Sequence, residues 1–326
     1  MNNRIEYIDA AKAVTMILVI VGHCSWLHFV FRGAIYAFHM PLFFMISGYF
    51  IKELSVKDAF SKYSRLYLKP YVISCLLMLA LSLLTVFFHG GEYVDAFLLW
   101  CQKAFFASGW DQGPGYFASV PRIGVLWFLF GLFWACVIYS VLKKYFTLAE
   151  RFVWVLFLFA LSYESIQFVR LPFSIQGGMA ATSYLFFGDL WRNSNLKERV
   201  LKLNTVTKGV AVCAALFSAF YYGGVGISTC DYNHIFATLP SSIVLCILLF
   251  FILKYKKVKG GWIGMSTLYI LCGHALSWDL LAVFGINLDN LPFIGFVNFF
   301  IEVTVLITLG LGLGYLMKRM ALFGKK

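Results

Sequence analysis

Stretches of about 17–25 mostly apolar residues, the length that crosses a hydrocarbon core as a helix, recur along this chain with basic clusters between them. They fall at 9–29, 33–51, 70–89, 123–142, 150–168, 177–191, 206–225, 234–253, 262–283 and 292–317. Inside hydrocarbon each backbone N–H and C=O has to find its partner within the chain, which leaves the helix as the structure open to such segments. The expectation is an all-α, polytopic transmembrane helical bundle of about ten spans, organised as one domain over residues 1–326. A composition of 61% hydrophobic and 13% charged residues excludes an ordinary soluble domain. One further apolar stretch, 93–107 (YVDAFLLWCQKAFFA), is too short to cross and reads as an interfacial or re-entrant helix. The 177–191 segment is also short, and it carries Asp189.

Charge gives an independent test of that map. With a cytoplasmic N-terminus, 23 of the 27 Lys and Arg residues fall in inside segments, and only Arg32, Lys103, Arg122 and Arg170 fall outside. The positive-inside rule yields such a split when the spans are even in number and both termini are cytoplasmic, and one missed or extra span would scramble it. The net charge of +12 needs no nucleic-acid partner, because basic cytoplasmic loops account for it. Arg4, Glu6, Asp9 and Lys12 run directly into the first span with no short apolar region and cleavage site, so that span is expected to remain in place. The eight cysteines stand singly within apolar runs and read as small core residues.

The spans carry polar groups where hydrocarbon penalises them. Lys12 and His23 are eleven residues apart, about 20° from superposing after three helical turns and about 16 Å apart along the axis. They share one helix face, with Lys12 near the cytoplasmic surface and His23 in the outer half of the membrane. His39, in the span that runs back inward, lies at a depth close to that of His23, so two imidazoles can face one another. Glu164, His274, Asp279 and Glu302 add further polar groups at compatible depths. Lys12 snorkelling to the interface and a single buried acid bonding a neighbouring helix are the plain alternatives. Several acids and imidazoles in one bundle favour a polar reaction centre or pathway. At the cytoplasmic end, Lys62, Arg65 and Lys69 recur at spacings of three and four, along one face of a helix lying against the membrane before Pro70 starts the next span. They serve either as ordinary inside charge or as a clamp for a polyanionic group. There is no P-loop, no dinucleotide fingerprint, no HExxH and no GxSxG, so soluble-enzyme templates do not apply and no metal is expected.

Five blocks, in order, carry a resemblance. They are Asp9, Lys12 and His23 (D-x-x-K-x10-H), FHMPLFFMISGYF at 38–50, SRLYLKPY at 64–71, LWFLFGLFW at 126–134 and STLYILCGH at 266–274. Together they resemble the acyltransferase 3 family of integral membrane acyltransferases, and within it the subgroup that O-acetylates bacterial surface sugars. The resemblance implies an enzyme of the bacterial-type cytoplasmic (inner) membrane, embedded in membrane lipids. It would take acetyl from cytosolic acetyl-CoA and deliver it to a hydroxyl of a surface glycan or lipid-linked sugar acceptor. By this likeness Lys12 and His23 occupy the family's basic-x10-His motif, and Lys62 with Arg65 a basic-x-x-Arg motif on the inner side. One departure is Cys24, which follows the motif's Gly-His where a small polar residue is expected; a thiol in apolar surroundings makes a poor nucleophile.

The expected site follows from both readings. Lys12, Lys62, Arg65 and Lys69 would hold the charged end of acetyl-CoA. His23 would act as general base toward the sugar hydroxyl, or as a transient acetyl carrier. His39 would share the centre, and Glu164, Asp279 or Glu302 would orient the imidazole. The alternative from another class is a proton-coupled transporter or exporter using the same histidines and acids as a relay.

Overall fold

The computed structural model describes residues 5–111, 116, 119–230, 232, 234–320 and 322. Helix α1 (Glu6–Gly22) begins after extended Ile5 and buries Ile8, Ala10, Ala11, Thr15, Met16, Val19 and Ile20. It is followed by α2 (Phe29–Tyr36), α3 (His39–Tyr49), α4 (Val56–Tyr63), α5 (Lys69–His89), α6 (Tyr93–Phe106) and α7 (Trp127–Tyr145). The rest of the chain forms α8 (Leu148–Phe168), α9 (Ile175–Asn193), α10 (Leu196–Lys202), α11 (Thr205–Tyr221) and α12 (Ile235–Tyr255). It ends in α13 (Gly261–Met265), α14 (Thr267–Val283) and α15 (Gly295–Arg319). Among the described residues there is no strand, only an isolated parallel bridge between Tyr116 and Val169.

Two helices organise the packing. α1 is flanked by α3, α12, α13, α14 and α15, while α9 is flanked by α3, α7 and α8, so α3 belongs to both groups. α9 is buried almost all round and carries Gly177, Gly178, Ala180, Ala181 and Gly188, small residues that let helices approach closely without a water-driven hydrophobic effect. At the α3–α9 crossing a Cβ on Gly48 would overlap the Leu185 carbonyl, and one on Gly188 would overlap the Met45 carbonyl. At the α14–α15 crossing a Cβ on Gly273 would stand 2.6 Å from the Gly314 nitrogen and 2.7 Å from the Gly310 carbonyl oxygen. These backbone contacts fix α3 and α14, the helices that carry His39 and His274.

Asp189 accounts for the acid in the short 177–191 segment. It is buried and accepts hydrogen bonds from Lys143 Nζ and Arg151 Nη1, each at 2.7 Å, from Asn193 Nδ2 at 2.7 Å and from Tyr139 Oη at 3.0 Å. An acid satisfied by four donors ties the ends of α7, α8 and α9 together.

Among the described residues six helical segments are long and apolar enough to cross a membrane: 29–49, 56–89, 124–145, 148–168, 235–255 and 295–319; α10 with α11, bent by 110°, makes a seventh if counted as one span. α14 is a shorter apolar helix. Each of the ten expected segments contains a helix, yet several differ from expectation for local reasons. The first was expected to run to residue 29 and stops at Gly22, because the carbonyls beyond it are taken by side chains: Tyr36 Oη donates to Gly22 O, and Arg32 Nη2 donates to the carbonyls of Cys24, Ser25 and Leu27. The second breaks at Ala37–Phe38, and the ninth is divided at Ser266 into α13 and α14. No break precedes α5. A π-turn over Ser64–Leu68, closed by Lys69 N–H on the Ser64 carbonyl, joins α4 to α5. A proline ring clashes with the carbonyl four residues back, and the wider π-turn lets the helix continue past Pro70. Among the cysteines, Cys24, Cys136, Cys230, Cys246 and Cys272 are buried as expected, but Cys101 and Cys213 are exposed.

Candidate functional site

His23 stands at the C-terminal cap of α1. Its Nδ1 lies 2.6 Å from the carbonyl oxygen of Val19, one turn earlier. A carbonyl only accepts, so Nδ1 carries the proton and Nε2 keeps its lone pair. His39, at the start of α3, repeats the arrangement, with Nδ1 donating to the Ile35 carbonyl at 2.9 Å. Tyr36 lies between the two, its ring centroid 5.8 Å from that of His23 and 4.9 Å from that of His39. From the other side His274 of α14 meets His23 edge to face, with ring centroids 5.5 Å apart. His39 and His274 are buried and His23 is half-buried. Among the described residues no three His, Cys, Asp or Glu side chains are grouped as a metal ion would need.

The expected acids divide. Glu302, fully buried on α15, accepts from the backbone N–H of Ser25 at 2.6 Å and of Trp26 at 3.1 Å. It therefore holds the turn that follows His23, and the imidazole's own Nδ1 partner is a carbonyl. Trp26 Nε1 anchors the same turn on the Leu288 carbonyl at 3.0 Å. Asp279, five residues beyond His274, lies in the field of Lys103 on α6. Glu164 is exposed on α8, whose packing partners are α9 and α7, so the structure does not bring it to the histidines.

A cavity of about 600 Å³ runs along one face of α1, lined there by Ile5, Ile8, Asp9, Lys12, Met16 and Val19. Those positions recur at helical spacing, and the face continues to His23. From Asp9 to Val19 the groove spans about 15 Å of helix. At one end it is bounded by Asp9, Lys12, Phe50, Leu66, Tyr67 and Met265. At the other, Val19, Met40 and Leu271 line it, and each lies within about one helical turn of a histidine of the cluster, His23, His39 or His274. The cavity thus runs from the start of α1, where Asp9 and Lys12 line it, to within about one helical turn of the three imidazoles, none of which lines it.

Of the basic residues, Lys12 lines the cavity, while Lys62, Arg65 and Lys69 flank the cavity-lining Leu66 and Tyr67 along the chain. Lys12 Nζ donates to Asp9 Oδ1 at 2.9 Å, and both side chains line the cavity. Lys62 lies over the Tyr63 ring at 4.6 Å and donates to its hydroxyl at 3.3 Å. Arg65 and Lys69 are exposed, with the cavity-lining Leu66 and Tyr67 between them in the π-turn. Arg65 Nε donates to the Ser61 carbonyl at 3.2 Å. Cys24 is buried, its thiol donating to the Ile20 carbonyl.

Sequence reasoning passed over Tyr36 and left His274 without a role. The signal for Tyr36 was present: it precedes His39 by three and follows Arg32 by four, the spacing at which helical neighbours meet.

Fold and site together define a helical membrane protein in which a cavity runs along α1 from Lys12 to within about one turn of a cluster of three histidines. A family model described as an acyltransferase domain matches residues 5–319, nearly the whole chain, and the chain belongs to that acyltransferase 3 family of membrane acyltransferases. No curated protein and no solved structure matches it.

Proposed function

We propose that this protein moves acetyl from cytosolic acetyl-CoA to a hydroxyl of a cell-surface glycan or lipid-linked sugar precursor, across a bacterial-type inner membrane. The observation that carries the reading is the cavity, which follows the α1 face from Lys12 to Val19 and ends one turn short of His23. Its volume of about 600 Å³ is within the range of small-molecule sites, and its shape suits a thin acyl-bearing arm. Lys12 in the cavity lining, with Lys62, Arg65 and Lys69 on and beside the π-turn that contributes Leu66 and Tyr67 to it, would supply charge-assisted donors for the nucleotide phosphates. In this arrangement ten spans place both termini in the cytoplasm, in keeping with the 23 to 4 distribution of basic residues.

His23 does the chemistry. With Nδ1–H committed to Val19, Nε2 is the free base. It takes the proton of the sugar hydroxyl as that oxygen bonds to the thioester carbonyl carbon. The carbon–sulfur bond then breaks, and the proton passes to the departing CoA sulfur. The same lone pair serves if acetyl first resides on His23. Glu302 acts through the turn it holds, and His39 presents a second free Nε2 across Tyr36 from the base.

The test uses membrane vesicles containing the host's own glycan precursors, with radiolabelled acetyl-CoA on the cytoplasmic side. Wild-type protein is expected to label the glycan fraction and His23→Ala, expressed equally, to leave it unlabelled. Equal labelling by both removes His23 from the mechanism. Absence of label with wild type overturns the acetyl-CoA reading.

A further inference from the structure

His274 is the one histidine of the cluster whose ring has no hydrogen-bond partner at either nitrogen among the described residues, although the side chain is fully buried. Buried polar groups are paired in the great majority of cases, and an exception calls for a reason. A Cβ on Gly310 of α15 would stand 3.5 Å from His274 Cβ, so α15 lies flat against its helix at that point. The ring is aimed at His23, 5.5 Å away edge to face, and Leu271, one turn earlier on α14, lines the inner end of the cavity. His23 and His39 each spend Nδ1–H on a carbonyl, which leaves both with a lone pair and no N–H toward the site. His274 is the cluster's uncommitted N–H.

We infer that His274 is a further catalytic residue, the donor that binds the acyl carbonyl oxygen as negative charge develops on it. This rests on the acyl-transfer reading. A carbonyl placed beside both rings lies within hydrogen-bond reach, about 3 Å, of each. As the acceptor oxygen bonds to the carbonyl carbon and His23 Nε2 takes its proton, the carbonyl π electrons move onto the oxygen, which accepts the N–H of His274. Collapse returns those electrons, breaks the carbon–sulfur bond, and releases CoA with the proton from His23. A neutral imidazole supplies one N–H in either tautomer and adds no charge to the resting site. A donor aimed at the oxyanion in a dry site is the kind of group whose removal costs about 10²–10³ in kcat.

The test compares full-length His274→Leu, His274→Asn and His274→Gln in the vesicle assay across acetyl-CoA concentrations, with thermal melting of each purified protein. His274→Leu is expected to lose about 10²–10³ in kcat with KM for acetyl-CoA nearly unchanged, the signature of an interaction made in the transition state. It is expected to melt no lower than wild type, since leucine removes two unpartnered nitrogens from an apolar site. An amide keeps an N–H, so the better of Asn and Gln should exceed Leu by about tenfold or more, roughly half of the lost stabilisation. Equal rates for Leu and both amides overturn the role, as does a kcat for Leu within about threefold of wild type. If wild type labels glycan, His23→Ala does not and the His274 variants match wild type, only this inference falls. If wild type fails to label, the acyl-transfer reading falls first.

Discussion

Glu302 shows how a buried acid serves the proposed base without touching it. Its carboxylate takes two backbone N–H groups that no helical carbonyl can reach, those of Ser25 and Trp26, immediately after His23. A hydrogen bond to a charged group contributes about 1.5–3 kcal/mol, and removing the acceptor leaves both buried donors unpaired. Glu302→Ala is expected to lower stability by about 3 kcal/mol and to cut acyl transfer by loosening the His23 turn. Glu302→Gln, which keeps one oxygen acceptor, should fall between, as read by thermal melting alongside the vesicle assay. A variant that melts normally while losing activity as fully as His23→Ala would contradict this and place the carboxylate in the reaction itself. From the sequence, Glu302 was legible as an intramembrane acid on an apolar helix, which marks it as functional. Its partner was not, because residues 277 positions apart meet only through the α1–α15 packing. The Lys12–His23 register was legible for the opposite reason: both lie on the α1 rod, where position along the chain converts directly into angle and rise.

Where helices end or touch is decided by a few side chains, and those places were the least legible. The length of apolar stretches located every long helix, but it could not register that Arg32 and Tyr36 reach back to cap α1, or that Pro70 sits behind a π-turn. Glycine on an apolar helix is equally ambiguous, and α15 offers a direct comparison. A Cβ on Gly314 would lie 2.8 Å from Ile270 Cα and 2.9 Å from Ile270 N on α14, while a Cβ on Gly312 meets nothing within 4 Å. Gly314→Ala must push the α14 backbone away, and is expected to cost about 1–3 kcal/mol or more and to disturb His274, which α14 carries. Gly312→Ala should be neutral or stabilising by up to about 1 kcal/mol through helix propensity. Melting curves in detergent decide it: equal midpoints for the two variants would mean that α14 and α15 do not meet at these glycines.

At the scale of the whole molecule the cavity has a direction, and function depends on which way it faces. One end of the cavity is formed by the start of α1, the end of α3 and the π-turn, with Lys12 in its lining and Lys62, Arg65 and Lys69 on and beside that π-turn, whereas His23 caps the far end of α1 and His274 lies halfway along α14. A cytosolic acyl donor can enter only if that basic end faces the cytoplasm, which is also the side the positive-inside rule gives it. Among the described residues six to seven segments are apolar and long enough to span by themselves. Orientation therefore rests on helices such as α1 and α9 taking their place by packing and buried polar bonds as much as by hydropathy. A thiol probe that cannot cross the membrane reads the orientation in intact cells. Glu92→Cys, between α5 and α6, should be labelled from outside, and Asn195→Cys, between α9 and α10, only after permeabilisation, with the natural exposed Cys101 and Cys213 replaced by serine to remove background. The reverse pattern would put the basic end outside and end the case for a cytosolic donor, whereas labelling of both sites in intact cells would mean that α6 to α9 do not make an odd number of crossings. The expected pattern would put the cavity along α1 on the cytosolic donor's side, with His23 one turn beyond its inner end.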